Sequence, residues 1–105
     1  MIETLKKILG IEPPTDYSQL IKNGAIILDV RTKDEYAGGH IKGSINIAVD
    51  QLSNNLQRFK NKEQPIITCC ASGMRSASAK SILKSNGYTH VHNGGSWSSL
   101  QQKIN

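Results

Sequence analysis

Apolar positions along the chain fall into two kinds of run. Ala25-Ile-Ile-Leu-Asp-Val30 and Pro65-Ile-Ile-Thr-Cys-Cys70 are short and almost continuously apolar. That is the pattern of strands in a sheet covered on both faces, where neither side of the strand meets water. Proline opens the second run, a position a strand tolerates. Elsewhere the apolar residues recur at helical intervals. Val49, Leu52, Leu56 and Phe59 step by 3, 4 and 3 and predict an amphipathic helix. Ala79, Ile82 and Leu83 share one face of a helix predicted from Arg75 to Asn86, with Asn86-Gly87 as its stop. Trp97, Leu100 and Ile104 form the stripe of a closing helix. Ile2, Leu5 and Leu9 predict a short helix over residues 1–12, ended by Pro13-Pro14.

Weaker signals fill the gaps. Tyr17 to Asn23 predicts a short helix with Asp16 as N-cap and Gly24 as stop. Ser44–Ile47 and Thr89–His92 predict brief strands. Arg31 to Gly43 is polar and glycine-rich, a loop with room for one helical turn. Strands and helices alternate, which predicts one α/β domain over residues 1–105 with a mostly parallel sheet. No internal repeat or low-complexity segment interrupts it.

Composition narrows the class. The chain has 105 residues, 37% of them hydrophobic, enough for one thin core. No apolar run reaches the ~18 residues of a membrane span. The N-terminus lacks a continuous apolar stretch and carries Glu3, so it does not read as a signal peptide. The net charge is +5, but the lysines are scattered and no stretch interleaves them with aromatics. Nucleic acid is therefore not the expected partner; the excess favours solubility and small anions. The two cysteines, Cys69 and Cys70, are adjacent. Neighbouring cysteines rarely pair, so two free thiols in a reducing cytoplasm are expected.

The chemistry concentrates in Cys70-Ala71-Ser72-Gly73-Met74-Arg75, between a buried strand and a helix. The carboxyl end of a strand feeding a helix is where open α/β sheets bind ligands. A loop there can turn successive N–H groups inward as an anion nest, backed by the helix dipole. Gly73 permits the tight turn. Arg75 offers a cation with planar donors for an oxyanion. A cysteine in such a field is stabilised as thiolate, the nucleophilic form. Cys70 is the candidate nucleophile, and Ala71, Ser72, Gly73, Met74 and Arg75 are the candidate substrate-binding residues. No cofactor is expected.

Asp29-Val-Arg31, Glu35-Tyr36, Gly39-His-Ile-Lys-Gly-Ser-Ile-Asn-Ile47, Cys70-Ala-Ser-Gly-Met-Arg-Ser76, Asn86-Gly-Tyr88, Gly94-Gly95 and Trp97 together resemble the rhodanese-like domain family over about residues 14–103. The resemblance implies a five-stranded, mostly parallel sheet flanked by helices on both faces. It also implies a single-domain sulfurtransferase. In such an enzyme the cysteine matching Cys70 takes sulfane sulfur from a donor such as thiosulfate or a persulfide. It then passes that sulfur to cyanide or a thiol. Its partners would be those small molecules, or a protein persulfide carrier, and the default state is a monomer. Ala71, Ser72 and Met74 leave Arg75 as the loop's one formal charge. Thiosulfate is therefore expected to be a weaker donor here than in relatives with a second loop cation.

The remaining motif residues read as structure. Asp29 and Arg31 are expected to tie the strand end to nearby loops, with Glu35 pairing to Arg31. His40 is expected to pack and hydrogen-bond. His90 and His92 have ligand-like spacing but no third or fourth ligand in reach, so no metal is expected. Two rival readings remain. The chain could be a binding or regulatory module without turnover. Alternatively, counting from Cys69 gives five residues before Arg75, the loop length of the cell-cycle phosphatases that share this fold, and a phosphatase or arsenate reductase would use Cys69.

Overall fold

The computed structural model describes residues 14–104; the helix expected over residues 1–12 lies outside them. Helix α1 (Tyr17–Lys22) leads into strand β1 (Ile26–Asp29). Asp16 caps α1, its Oδ1 accepting the Gln19 N–H at 3.0 Å. Then come α2 (Lys33–Ala37), β2 (Ile45–Asn46) and two 3-10 segments, Val49–Asn54 and Leu56–Arg58. Strand β3 (Ile66–Cys70), helix α3 (Met74–Ser85), strand β4 (Val91–Ser96) and helix α4 (Trp97–Ile104) complete the order.

The strands form one parallel sheet in the order β2-β1-β3-β4. The two continuous apolar runs are its adjacent central strands, paired from Ile26 with Ile66 to Asp29 with Cys69. Their position explains their composition, since both faces are covered. On one face Leu28, Val30, Ile66, Cys70 and Val91 pack with Ala79 and Leu83 of α3 and with Leu52 and Phe59. On the other, Ile27, Ile67 and Cys69 pack with Leu100 of α4, and Leu20, Ile21 and Trp97 lie against them. The α/β architecture with helices on both faces is therefore as the sequence predicts. A Leu28→Ala cavity in such a layer costs about 2–5 kcal/mol.

Three expectations are corrected. The sheet has four strands among the described residues, not five; residues 14–104 hold no further apolar run of strand length. The Val49–Phe59 stripe is not one α-helix but two 3-10 segments. Ser53, Asn54 and Asn55 interrupt it with short polar side chains that compete for backbone groups. Asn55 Nδ2 binds the Gln51 carbonyl at 2.8 Å. Leu52 and Phe59 are nonetheless buried. The last strand is not Thr89–His92 but Val91–Ser96, running through Gly94-Gly95. A Cβ on Gly94 would lie 2.9 Å from the Thr68 carbonyl oxygen and 3.0 Å from Ile67 Cγ2 and Leu100 Cδ2. The glycine marks close packing rather than a strand end. Register shifts between Thr68 and Cys70 where β3 meets β4, and such a bulge re-aims a strand end. Here that end meets the loop after Cys70.

Candidate active site

Cys70 is the last residue of β3, and α3 begins four residues later at Met74. Gly73 joins them with φ +100°, a left-handed conformation that side chains resist, and its Cβ position lies 3.5 Å from Gly95 Cα. This turn folds the loop back over the thiol. The Gly73 N–H donates to Cys70 Sγ at 2.9 Å and the Ser76 N–H at 3.4 Å. The Ser76 hydroxyl lies 3.5 Å away. The first turn of the 12-residue helix α3 adds the positive end of its dipole.

Cys70 has no exposed surface. Burial, the largest single influence on it, would push its pKa up. The Ser76 hydroxyl and the N–H groups of Ser76, Gly73 and Ser72 outweigh that, and the net shift is downward. Cys69 faces the opposite side of the sheet, as strand alternation requires. It packs with Ile27, Ile41, Ile67 and Leu100. Burial, with Asp29 nearby, pushes its thiol up to about 12. Of the two adjacent thiols, one has its pKa lowered by the donors around it and the other has it raised by the core.

Ala71 and Ser72 are exposed, and Met74 is 79% exposed. These three residues give the loop a neutral outer rim. Arg75 pairs with a carboxylate beside the loop. Its Nη1 and Nη2 bind Glu35 Oε1 and Oε2 at 2.7 and 2.9 Å. Glu35 was expected to pair with Arg31; instead its carboxylate is held by Arg75, which lowers its pKa to about 2 together with the Thr32 N–H. The same carboxylate closes the capping box of α2, accepting from Thr32 N–H at 3.1 Å while Thr32 Oγ1 accepts from the Glu35 N–H. Helix α2 is thereby tied to the start of α3.

Arg31 turns the other way. It forms a buried pair with Asp29, with Nη2 to Oδ2 at 2.7 Å and Nε to Oδ1 at 3.0 Å. Its Nη2 also binds the Gly39 carbonyl at 2.7 Å, and its Nη1 the Glu35 carbonyl at 3.3 Å. The guanidinium lies 4.8 Å from the Trp97 ring centroid. With every face engaged, Arg31 fixes the loop after β1; removing one member of such a pair costs about 3–5 kcal/mol. His40 stacks on Tyr36 with ring centroids 3.7 Å apart and binds its carbonyl at 2.7 Å through Nδ1. His90 is exposed and His92 half-buried; among the described residues no three His, Cys, Asp or Glu side chains cluster as metal ligands.

Two residues in contact with this site went unassigned in the sequence. Ser76 is fully buried beside Cys70; its place after Arg75 in the quoted motif was the available signal. Asn93 approaches from β4, with Oδ1 2.6 Å from Ser76 Oγ. Nothing local in sequence marks it, because β4 reaches the loop through tertiary pairing.

A parallel sheet, a cysteine at the end of a central strand, and a tight loop of N–H donors opening a helix describe a rhodanese-type site. The chain belongs to the rhodanese-like domain family, whose model matches residues 13–103. It is 35% identical over 69 residues to thiosulfate sulfurtransferase PspE of Escherichia coli, covering 65% of this chain and 66% of that protein. It is 31% identical over 80 residues to thiosulfate sulfurtransferase GlpE of Pseudomonas fluorescens, covering 76% of this chain and 72% of the relative. Among solved structures, the human single-domain sulfurtransferase TSTD1 superposes with a TM-score of 0.72 at 30% identity, covering 83% of this chain and 89% of that one. The matched region spans just under two thirds of PspE and 54% of the Bacillus subtilis protein YqhL.

Proposed function

We propose that this chain is a sulfurtransferase that carries sulfane sulfur as a persulfide on Cys70. The observation that carries the reading is the Cys70 sulfur held by the Gly73 and Ser76 N–H groups at the head of α3. In the first half-reaction the thiolate attacks the outer sulfur of a donor such as thiosulfate. A sulfur–sulfur bond forms to Cys70, the donor's own sulfur–sulfur bond breaks, and sulfite leaves with the bonding pair. In the second half-reaction cyanide or a thiolate attacks the terminal sulfur, and Cys70 leaves as the thiolate. Each step moves one anion for another. A cradle of fixed donors therefore serves both without reorganising. No metal or cofactor is needed for this balance.

Since Cys70 has no exposed surface, loading requires the loop from Ala71 to Met74 to yield. The neutral rim and the engaged Arg75 favour a donor that brings its own contacts, such as an organic or protein persulfide, over bare thiosulfate. The proposed setting is the reducing cytoplasm. Sulfur transfer as the reaction class is supported by the names of two similar proteins, both thiosulfate sulfurtransferases. The test is an intact mass after incubation with thiosulfate and, separately, with a small-molecule persulfide. A gain of one sulfur that dithiothreitol or cyanide removes is the expected result. No gain from either donor would turn the assignment to a binding module without turnover.

A further inference from the structure

The Ser76 hydroxyl has one proton and three acceptors around it. Asn93 Oδ1 lies at 2.6 Å, the Gly73 carbonyl at 3.0 Å and Cys70 Sγ at 3.5 Å. The orientation of the Asn93 amide is settled by its other contacts. The Gly95 N–H donates to Oδ1 at 2.9 Å, so that atom is the oxygen, and Nδ2 faces the Gly73 carbonyl at 3.4 Å. A flipped amide would oppose donor to donor. With Cys70 as a thiol, the S–H donates to Ser76 Oγ and the hydroxyl proton goes to Asn93. With Cys70 as a thiolate, the favoured place for that proton is the sulfur, and the short bond to Asn93 must be given up.

We propose that Asn93 is a positioning residue for Cys70: it competes with the thiolate for the single Ser76 hydroxyl proton and so restrains thiolate formation until that hydroxyl turns. This rests on the reading of Cys70 as the sulfur carrier. The amide is not a base, so the chain Cys70–Ser76–Asn93 moves no proton away; the thiol proton leaves to solvent. What changes is the direction of one hydroxyl. Once sulfur is loaded, the negative charge sits on the terminal sulfur. Sγ is then neutral, and the hydroxyl returns to Asn93. The other charged groups facing Cys70 are few. Arg75 reaches it electrostatically but is paired with Glu35, and Cys69 lies on the far face with a raised pKa. Asp29 and Arg31 at the end of β1 neutralise each other. On β4, His92 has Lys80, His90 and Lys84 as its charged neighbours.

The test is the ultraviolet titration of the Cys70 thiolate, read as the difference from Cys70→Ser, which needs neither sulfur donor nor access to the thiol. Asn93→Ala should lower the midpoint by roughly half to one pH unit, the weight of one hydrogen bond. Ser76→Ala should raise it, and adding Asn93→Ala to Ser76→Ala should change nothing further. A residue that merely shaped the loop would do the opposite, since loosening the N–H donors raises the midpoint. An unchanged or raised midpoint in Asn93→Ala overturns the proposal, as does a lowering that persists without the Ser76 hydroxyl. Asn93→Asp, nearly isosteric, guards against misfolding. It should raise the midpoint more with Ser76 present than without, and equal shifts also overturn the proposal. Sulfur loading is measured apart by mass, so either idea can fail alone.

Discussion

Exchanging one sulfur atom for oxygen at two adjacent positions should separate catalysis from stability. Cys69 is completely buried among Ile27, Ile41, Ile67 and Leu100. Cys69→Ser puts a hydroxyl there, and a buried hydroxyl without a partner costs about 1–3 kcal/mol. For a domain of this size that lowers the unfolding midpoint by roughly 4–15 °C. Cys70 is buried too, but its Sγ already receives the Gly73 and Ser76 N–H groups. A serine oxygen can accept the same donors, so Cys70→Ser should change stability by less than about 1 kcal/mol. Persulfide formation should respond in the opposite sense. Cys70→Ser should lose it entirely, while Cys69→Ser, assayed well below its melting point, should keep most of it. Thermal unfolding followed by circular dichroism gives the first quantity, and intact mass after donor treatment gives the second. A folded Cys69→Ser protein that no longer takes up sulfur, beside a Cys70→Ser protein that still does, would refute the assignment of the two thiols. Hydrolysis of a phosphoester by Cys70→Ser would add that the loop is used in the phosphatase register from Cys69.

Glu35→Gln should free Arg75 while keeping the capping box, because glutamine also accepts from Thr32. Loading from dianionic thiosulfate should then rise about threefold to tenfold, and loading from a monoanionic organic persulfide should rise less. An equal change with both donors would show that Arg75 charge does not select between them. The same pair sets an acid dependence. Glu35 has its pKa lowered from 4.5 to about 2 in the folded state, so in between the unfolded chain binds more protons. The pair's contribution is full above pH 4.5 and lost as pH falls toward 2. The gap in melting temperature between the protein and Glu35→Gln should narrow over that interval; a constant gap would mean the pair adds nothing to stability. Gly94→Ala should lower the melting temperature, since its Cβ would sit 2.9 Å from the Thr68 carbonyl oxygen, and unchanged unfolding would show that β3 and β4 can part there without cost.

The parts of the fold legible in sequence are those where burial alone dictates composition. The central strands had to be apolar on both sides, so Ile26–Asp29 and Ile66–Cys70 were visible as runs. The caps at Asp16 and Asn86 were visible because helix ends need those side chains. What failed did so for two different reasons. The stripe from Val49 to Phe59 kept its burial but not its α-helical geometry, because periods of 3 and 3.6 cannot be told apart over so few residues. The expected strand stopped at His92, and only the packing of Thr68, Ile67 and Leu100 against Gly94 shows why glycine stands inside β4.

The site divides along the same line. Cys70, Gly73 and the head of α3 are contiguous in sequence, and a strand followed by a glycine turn and a helix is enough to place N–H donors around the sulfur. Charge pairing was not local. Arg75 and Glu35 are 40 residues apart, and the choice between Arg31 and Arg75 as the partner of Glu35 depends on Asp29, which holds Arg31 at the end of β1. A buried carboxylate takes the nearest buried guanidinium, because leaving either unpaired costs several kcal/mol. The half-buried pair of Glu35 and Arg75 then forms from what is left. That ordering makes Arg75 a link between α2 and the loop, while the Gly73 and Ser76 N–H groups and the Ser76 hydroxyl are the groups in contact with the Cys70 sulfur.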